Sequence, residues 1–303
     1  MPARQAEVSA TIEAPAGLVF ELLTDAANWP RLFPWILHTE CLERTGDDDV
    51  FKFWGLTPDG GTRIFTSRRH LDRRALVMEF EQQNQVGDVR RLSGRWTFTA
   101  VAERRTQVRS EHTFELAEDG EEAARRAHGM FTKHGTTQLE ALRRRAEAYE
   151  DIEARTLVFT DSVCIASELE KVYEAFRDAA SWPGFVSRVD RAVVTEAPQD
   201  VQFVELDVRE GGVTRTTRSA RVGLPCEKIV YKQAERPEHL ELHAGHWGFT
   251  ETPEGVLVTA GHTAVLEKAA LTAYPDAHQH VRDLLGRVTS AHLREAKQLL
   301  ESR

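Results

Sequence analysis

Asp25-Ala26-Ala27-Asn28-Trp29-Pro30 returns later in the chain as Asp178-Ala179-Ala180-Ser181-Trp182-Pro183. Three more matches follow in the same order: Ser67-Arg68-Arg69 with Ser219-Ala220-Arg221, Gly94-Arg95-Trp96-Thr97-Phe98 with Gly245-His246-Trp247-Gly248-Phe249, and His112-Thr113 with His262-Thr263. The offset stays close to half the chain, so one domain has been duplicated. The pattern divides the 303 residues into a first domain, 1–150, and a second, 157–303, joined by a linker at Glu150 to Thr156. The repeat also serves as an internal comparison. What both copies keep the fold needs; what differs separates their roles.

Domains of this size can bury a core and still enclose a cavity. A formal net charge of −9 argues against nucleic acid and anionic membrane as partners. No apolar run reaches the length of a membrane span, and Met1 to Ala10 lacks the apolar centre of a signal peptide. Cys41, Cys164 and Cys226 have neither metal nor redox spacing, which points to a reducing cytoplasm. Arg far outnumbers Lys, the usage of a GC-rich bacterial genome.

Each copy runs through the same elements. Val8 to Ile12 alternates as a strand, and Gly17 to Thr24 turns Leu18, Leu22 and Leu23 to one side as a short helix. After the Trp-Pro loop, six strands are predicted near 36–44, 50–54, 62–70, 76–84, 91–99 and 107–116, with turns at Gly46-Asp47, Asp59-Gly60-Gly61 and Gly87-Asp88. Glu210-Gly211-Gly212 marks the matching hairpin of the second copy. Each copy then ends in a long helix, the first with Ala124, Ala127, Phe131, Gly135, Leu139, Leu142, Ala146 and Tyr149 at helical spacing, the second over 276–302. The fold class is α+β: two tandem domains, each an antiparallel sheet curled around its long C-terminal helix.

Phe65, Ser67 and Arg69 alternate and share one strand face. If Phe65 faces inward, Arg69 follows, and a buried guanidinium needs an anionic or carbonyl partner. Either a ligand supplies it or a core carboxylate does; in the opposite phase Arg69 meets solvent. His112 shares a face with Phe114 and is either an acid/base or a hydrogen-bonded core histidine. Trp29, Phe33, Trp35, Phe51, Phe53, Trp54 and Trp96 concentrate flat apolar surface in the first copy. Trp29 and Trp96 recur as Trp182 and Trp247 and read as architectural; Phe33, Trp35 and Trp54 read as pocket walls. His239, Glu241 and His243, with His246 close by, form the one metal-like cluster, but Leu240 and Leu242 would be the inward face there. No phosphate-binding glycine loop or nucleophile elbow is present.

The element order, Trp29-Pro30 with Phe33, Phe65-x-Ser67-x-Arg69 and Trp96 together resemble the helix-grip fold of the START and birch-pollen-allergen superfamily. Within it the chain is similar over its whole length to the di-domain aromatase/cyclases of bacterial type II polyketide synthesis. The resemblance implies an internal cavity where a poly-β-ketone on an acyl carrier protein closes its first ring by an aldol step, with C7–C12 closure, and loses water. Partners would be the polyketide synthase and a ketoreductase; no cofactor or metal is implied. On this reading Arg69 polarises a ketone, Ser67 donates a second hydrogen bond and His112 shuttles the proton. Trp29, Phe33, Trp35, Trp54, Phe65, Trp96 and Phe131 bind substrate, and Ser219, Arg221 and His262 are the second-domain counterparts. Thr217 stands where the first copy has Phe65, so ring closure is assigned to the first domain, with the second stabilising it or taking a later dehydration. The rival is a tandem carrier of a lipid or other hydrophobic molecule, because one fold hosts both roles. A carrier needs shape and one anchor. A cyclase needs an oxyanion stabiliser and a proton shuttle.

Overall fold

The computed structural model describes residues 3–118, 120–210, 212–235 and 237–302. Gly211 of the second hairpin turn lies outside them, as does Met1. The chain divides into two compact units, the first ending at Glu150 and the second beginning at Asp151.

In the first unit β1 (Arg4–Ile12) leads into α1 (Ala16–Thr24), a single 3-10 turn and α2 (Trp29–Leu32). Six strands follow: β2 (Ile36–Thr45), β3 (Asp48–Leu56), β4 (Thr62–Asp72), β5 (Val77–Gln82), β6 (Val89–Ala102) and β7 (Arg105–Leu116). They form one antiparallel sheet in the order β1-β7-β6-β5-β4-β3-β2. Only neighbouring strands in the chain pair, except that β1 closes on β7, so the sheet curls and leaves its concave face to α3 (Glu121–Glu147). Glu121 and Glu122 sit in the first turn of α3, where negative charge suits the helix dipole, and Ala124, Ala127, Phe131, Gly135, Leu139 and Leu142 form its buried stripe.

The second unit repeats this with β8 (Thr156–Ile165), α5 (Leu169–Arg177), β9 (Val189–Ala197), β10 (Val201–Glu210), β11 (Val213–Leu224), β12 (Lys228–Gln233), β13 (Leu240–Thr252), β14 (Gly255–Leu266), α6 (Lys268–Ala273) and α7 (Ala277–Glu301). Its strand order is β8-β14-β13-β12-β11-β10-β9. Gly60 and Gly212 occupy matching turns at φ +83° each, a left-handed backbone that glycine enters without a Cβ clash.

A short helix spans most of the expected linker, and Tyr149 belongs to it and not to the long helix. Only Ala148 separates α3 from α4 (Tyr149–Ala154), which runs almost directly into β8. Arg155, at that junction, is buried in the second unit, donating to the Leu266 carbonyl and pairing with Asp151 and with Glu241 at 2.9 Å.

Candidate active site

Alternation along β4 puts Arg63, Phe65, Ser67 and Arg69 on the concave face, toward α3. The cross-strand register sets Asp49 opposite Arg69, Phe51 opposite Ser67, Phe53 opposite Phe65 and Gly55 opposite Arg63. The wall expected from sequence forms here. Phe65 stacks on Phe53 with centroids 4.8 Å apart, Phe53 meets Trp29 at 4.8 Å, Trp29 meets Phe33 edge-on at 5.1 Å, and Phe33 stacks on Trp35 at 5.2 Å.

Trp29 and its copy Trp182 have an architectural role as well. Their indoles donate to the Leu23 and Ala175 carbonyls, pinning each Trp-Pro loop to the preceding helix. Trp96 is closed into the main core, its ring nearly inaccessible. Trp54 corrects the sequence reading: it lies opposite Ile64 with the reverse parity to Phe53, so it faces away from α3. There it packs against His38 at 5.2 Å, with Lys52 over its ring at 4.5 Å.

Arg69 is buried, with 1% of its side chain accessible, and it is not free. Its Nε and Nη2 each donate to Asp49 at 2.7 Å, and the guanidinium lies 4.8 Å from the Phe51 ring. Of the alternatives open at the sequence level, the core carboxylate is realised. Asp49 takes the Nε–Nη2 edge of the guanidinium fork, and Nη1 points to Met78 Sδ at 4.0 Å. Ser67 is also buried and reaches the Glu81 carbonyl only at 3.5 Å.

The second copy reverses this arrangement. Gln202 stands opposite Arg221 in the register and donates to Glu196 at 2.8 Å. Arg221 gives one hydrogen bond, Nη2 to the Phe176 carbonyl at 2.6 Å, while its Nε and Nη1 have no partner among the described residues. Its guanidinium sits 5.1 Å from the Trp182 ring and 5.2 Å from Trp247, and burial pushes its pKa down to about 10. Ser219, two residues back, is half-buried.

The histidines reverse in the opposite sense. His112 is buried and stacked on Phe131 at 5.6 Å, with Phe80 edge-on at 5.6 Å, yet it makes no hydrogen bond with any described residue. Burial, with the His134 charge second, lowers its pKa to about 4, so the ring is neutral and its nitrogens are available. His262 is engaged at both nitrogens: Tyr231 Oη lies at 3.2 Å and His243 Nε2 at 3.1 Å from Nδ1, and Thr289 Oγ1 at 2.9 Å from Nε2. Gly94 and Gly245 explain why this strand reads alike in both copies. A Cβ on Gly94 would come within 2.6 Å of the Phe80 ring, and one on Gly245 within 2.4 Å of the Tyr231 hydroxyl. Each glycine lets an aromatic ring cross the strand beside the histidine.

His243 also departs from expectation. A bulge in the β13 register between Leu240 and Leu242 shifts the phase, so Leu240 and His243 are both buried. The metal-like cluster is thereby dispersed, with His239 bonded to Tyr274, Glu241 paired to Arg155 and His243 held by His262.

Sequence reading missed Arg63, Phe80, Gln82 and His134. Trp35, Arg63, Phe65 and Phe80 face inward yet are only half-buried, and His134 of α3 is exposed by surface area. His134 is nonetheless deep enough that burial, with the Arg63 charge second, lowers its pKa to about 4. Phe80 packs against two hydrophobic clusters of this unit, one centred on Trp29, Phe53 and Leu142 and the other on Phe114 and Phe131. The signal was available: Arg63 shares the parity of Phe65, and His134 follows Phe131 by three. A trough of about 560 Å³ elsewhere in this unit lies on the opposite, outer face of the sheet. Exposed pairs such as Arg95–Glu79 at 3.3 Å and His70–Asp48 at 3.1 Å line it, an ordinary solvated ladder.

These buried imidazoles carry a stability signature. His112 and His262 are lowered to about 4 by burial, and His243 and His292 to about 3. Each stays neutral in the folded chain while its unfolded form takes up a proton near 6.5. The stability they allow is full above that pH and drains away as pH falls toward the folded values. Between pH 6 and 4 the urea midpoint should fall steeply, with proton uptake on unfolding approaching about four. A midpoint flat over that range would mean these rings protonate in the folded state.

A family model described as "Polyketide cyclase / dehydrase and lipid transport" matches the chain twice, over residues 12–142 and 165–286. The granaticin polyketide synthase bifunctional cyclase/dehydratase of Streptomyces violaceoruber is 30% identical over 301 residues, covering 96% of this chain and 93% of that protein. The solved structure of the di-domain ARO/CYC BexL from the BE-7585A biosynthetic pathway superimposes with a TM-score of 0.90 at 31% identity, covering 99% of both chains. That of StfQ from the steffimycin pathway gives 0.86 at 32%, covering 98% of both. With its two matched sheets and two matches to the family model, the chain belongs to the polyketide cyclase/dehydrase family, and within it to the di-domain aromatase/cyclases.

Proposed function

We propose that this protein is a polyketide cyclase/dehydratase that closes and aromatises the first ring of a poly-β-ketone carried on an acyl carrier protein, with C7–C12 closure, in the cavity of the first domain. The observation that carries the assignment to that domain is the free imidazole. His112 faces the interior with no side-chain hydrogen bond to any described residue, whereas His262 is bound at both nitrogens. At neutral pH His112 is in its base form.

In the reaction it takes the acidic proton of a methylene between two ketones. The resulting enolate carbon attacks a ketone carbon further along the chain, forming one C–C bond and an alkoxide. The imidazolium returns the proton to that oxygen, and a second proton abstraction expels hydroxide, so one water leaves and the ring becomes conjugated. Trp35, Phe65 and Phe80 hold the chain folded and limit competing closures. A carrier of lipids has no need of a buried, unpartnered base, which favours the enzyme over the carrier reading. Among the described residues no helix is long and apolar enough to cross a membrane, in keeping with a cytoplasmic partner of a synthase and a ketoreductase.

The test is reconstitution of the full chain with a minimal synthase, ketoreductase and carrier protein. We expect one product with the C7–C12 ring aromatic, and shunt products when the protein is left out. Identical product distributions with and without the protein would defeat the proposal.

A further inference from the structure

We infer that Arg63 is the oxyanion-binding cation of the first-domain cavity, taking the enolate or phenolate oxygen of a flat conjugated ligand; this rests on the function proposed above. Arg63 lies on the inward face of β4, at the end where Gly55 faces it across the strand pair. Gly55 lets the chain at Trp35 and Ile36 close over this end of the strand: a Cβ there would sit 3.3 Å from the Trp35 carbonyl and 3.4 Å from Ile36 Cδ1. The guanidinium lies 5.0 Å from the Phe65 ring and donates from Nη2 to Gln82 Oε1 at 3.0 Å.

Gln82 is neutral, and Arg63 makes no ion pair with any described residue. Arg69 on the same face is neutralised by Asp49, so Arg63 is the inward cation of β4 with charge to offer a ligand. Its surroundings are the ones a polyketide oxygen would meet. Phe65 and Trp35 give flat surface, and His134 of α3 meets the Trp35 ring at 6.2 Å. Gln82, which holds Arg63, shares the inward face of β5 with Phe80, and Phe80 meets His112 edge-on at 5.6 Å, so cation and base lie along one face of the sheet. An enolate formed at His112 has its negative oxygen within a field set by Arg63, in a setting where part of the water is excluded.

The signature of such a site is that it acidifies a bound phenol. We would titrate full-length protein with 1-naphthol and follow ionisation of the bound phenol by absorbance, in wild type, Arg63→Gln and Gln82→Glu. A cation in contact with an acid lowers its pKa by about 1–3 units. The wild type should therefore shift the bound naphthol's midpoint down by about one unit or more relative to Arg63→Gln. Gln82→Glu leaves Arg63 in place but gives it a carboxylate partner, as Asp49 does for Arg69, and should abolish the shift too, even if Arg63→Gln fails to fold. Arg63→Lys should keep part of it. In the reconstituted system Arg63→Gln should slow ring closure about 10²-fold or more.

A wild type that does not bind 1-naphthol, or ionises it at the same pH as Arg63→Gln and Gln82→Glu, overturns the inference. So does unchanged ring closure in Arg63→Gln, and the proposed function then stands without Arg63. If the naphthol shift appears but wild type closes no ring, the anion site stands and the proposed function falls.

Discussion

Arg69→Ala should destabilise the first domain by about 3–5 kcal/mol, the usual cost of breaking a buried ion pair from one side. The substitution leaves Asp49, with only 2% of its side chain accessible, as an uncompensated carboxylate in the core. Arg44 approaches Asp49 at 3.7 Å, but its side chain is 61% exposed and its charge is screened by water. The same substitution at the matching position of the second domain should do little or stabilise. Arg221 has Gln202 opposite it and not a carboxylate, two of its nitrogens lack partners among the described residues, and removing it relieves a buried cation that has no ion pair there. Urea unfolding of the full chain, read as two transitions, measures both. The double variant Asp49→Leu/Arg69→Met should recover most of the loss, because apolar replacement of a whole buried pair is often neutral. It also separates structure from chemistry. If the double variant is folded and still closes the ring, Arg69 serves the fold. If it is folded and yields only shunt products, Arg69 takes part in the reaction despite Asp49. Wild-type stability in Arg69→Ala, with a large loss in Arg221→Ala, would refute the assignment of the paired and unpaired cations.

His112→Gln should lower kcat for aromatised product by about 10²–10⁴-fold, the range for loss of a general acid/base, and leave the fold intact. No hydrogen bond to a described residue is lost with the imidazole, and Gln fills much of the same space between Phe80 and Phe131. His262→Gln should show the reverse, a small effect on first-ring closure and a clear loss of stability. Tyr231, His243 and Thr289 would each lose a partner in the core, at about 1–3 kcal/mol for each group left unsatisfied. The pH profile is a further check. A base lowered to about 4 is already deprotonated at pH 5, so kcat/KM for wild type should run flat through 6.5 and decline only as pH approaches 4. An inflection near 6.5 that vanishes in His112→Gln would place the ring in water instead, and wild-type turnover by His112→Gln would make it structural.

The repeat, the β-helix-strands-helix order and the strand phase of Phe65, Ser67 and Arg69 were legible in the sequence, because they are local: alternation and helical spacing follow from backbone geometry, and duplication prints the pattern twice. His112 on its strand face and Phe131 on its helix stripe were each legible, but their stacking at 5.6 Å came only with the structure. Two features escaped even local reading. The bulge at Leu240–Leu242 turned His243 inward, and the parity of Trp54 turned it outward although it sits in an aromatic run.

What tertiary structure alone decided is which polar groups remain free. Arg69 and Arg221 occupy the same place in the same motif, yet one is neutralised and the other is not, because the residue across the strand is Asp49 in one copy and Gln202 in the other. His112 and His262 are equally matched, and their availability depends on Phe80 and Tyr231, one strand away beyond the intervening glycine, and on Thr289 from the long helix. Sequence spacing reports which face a side chain takes. Whether its charge or its lone pair is already spent depends on partners brought from distant parts of the chain, and that is settled only by strand register and helix packing.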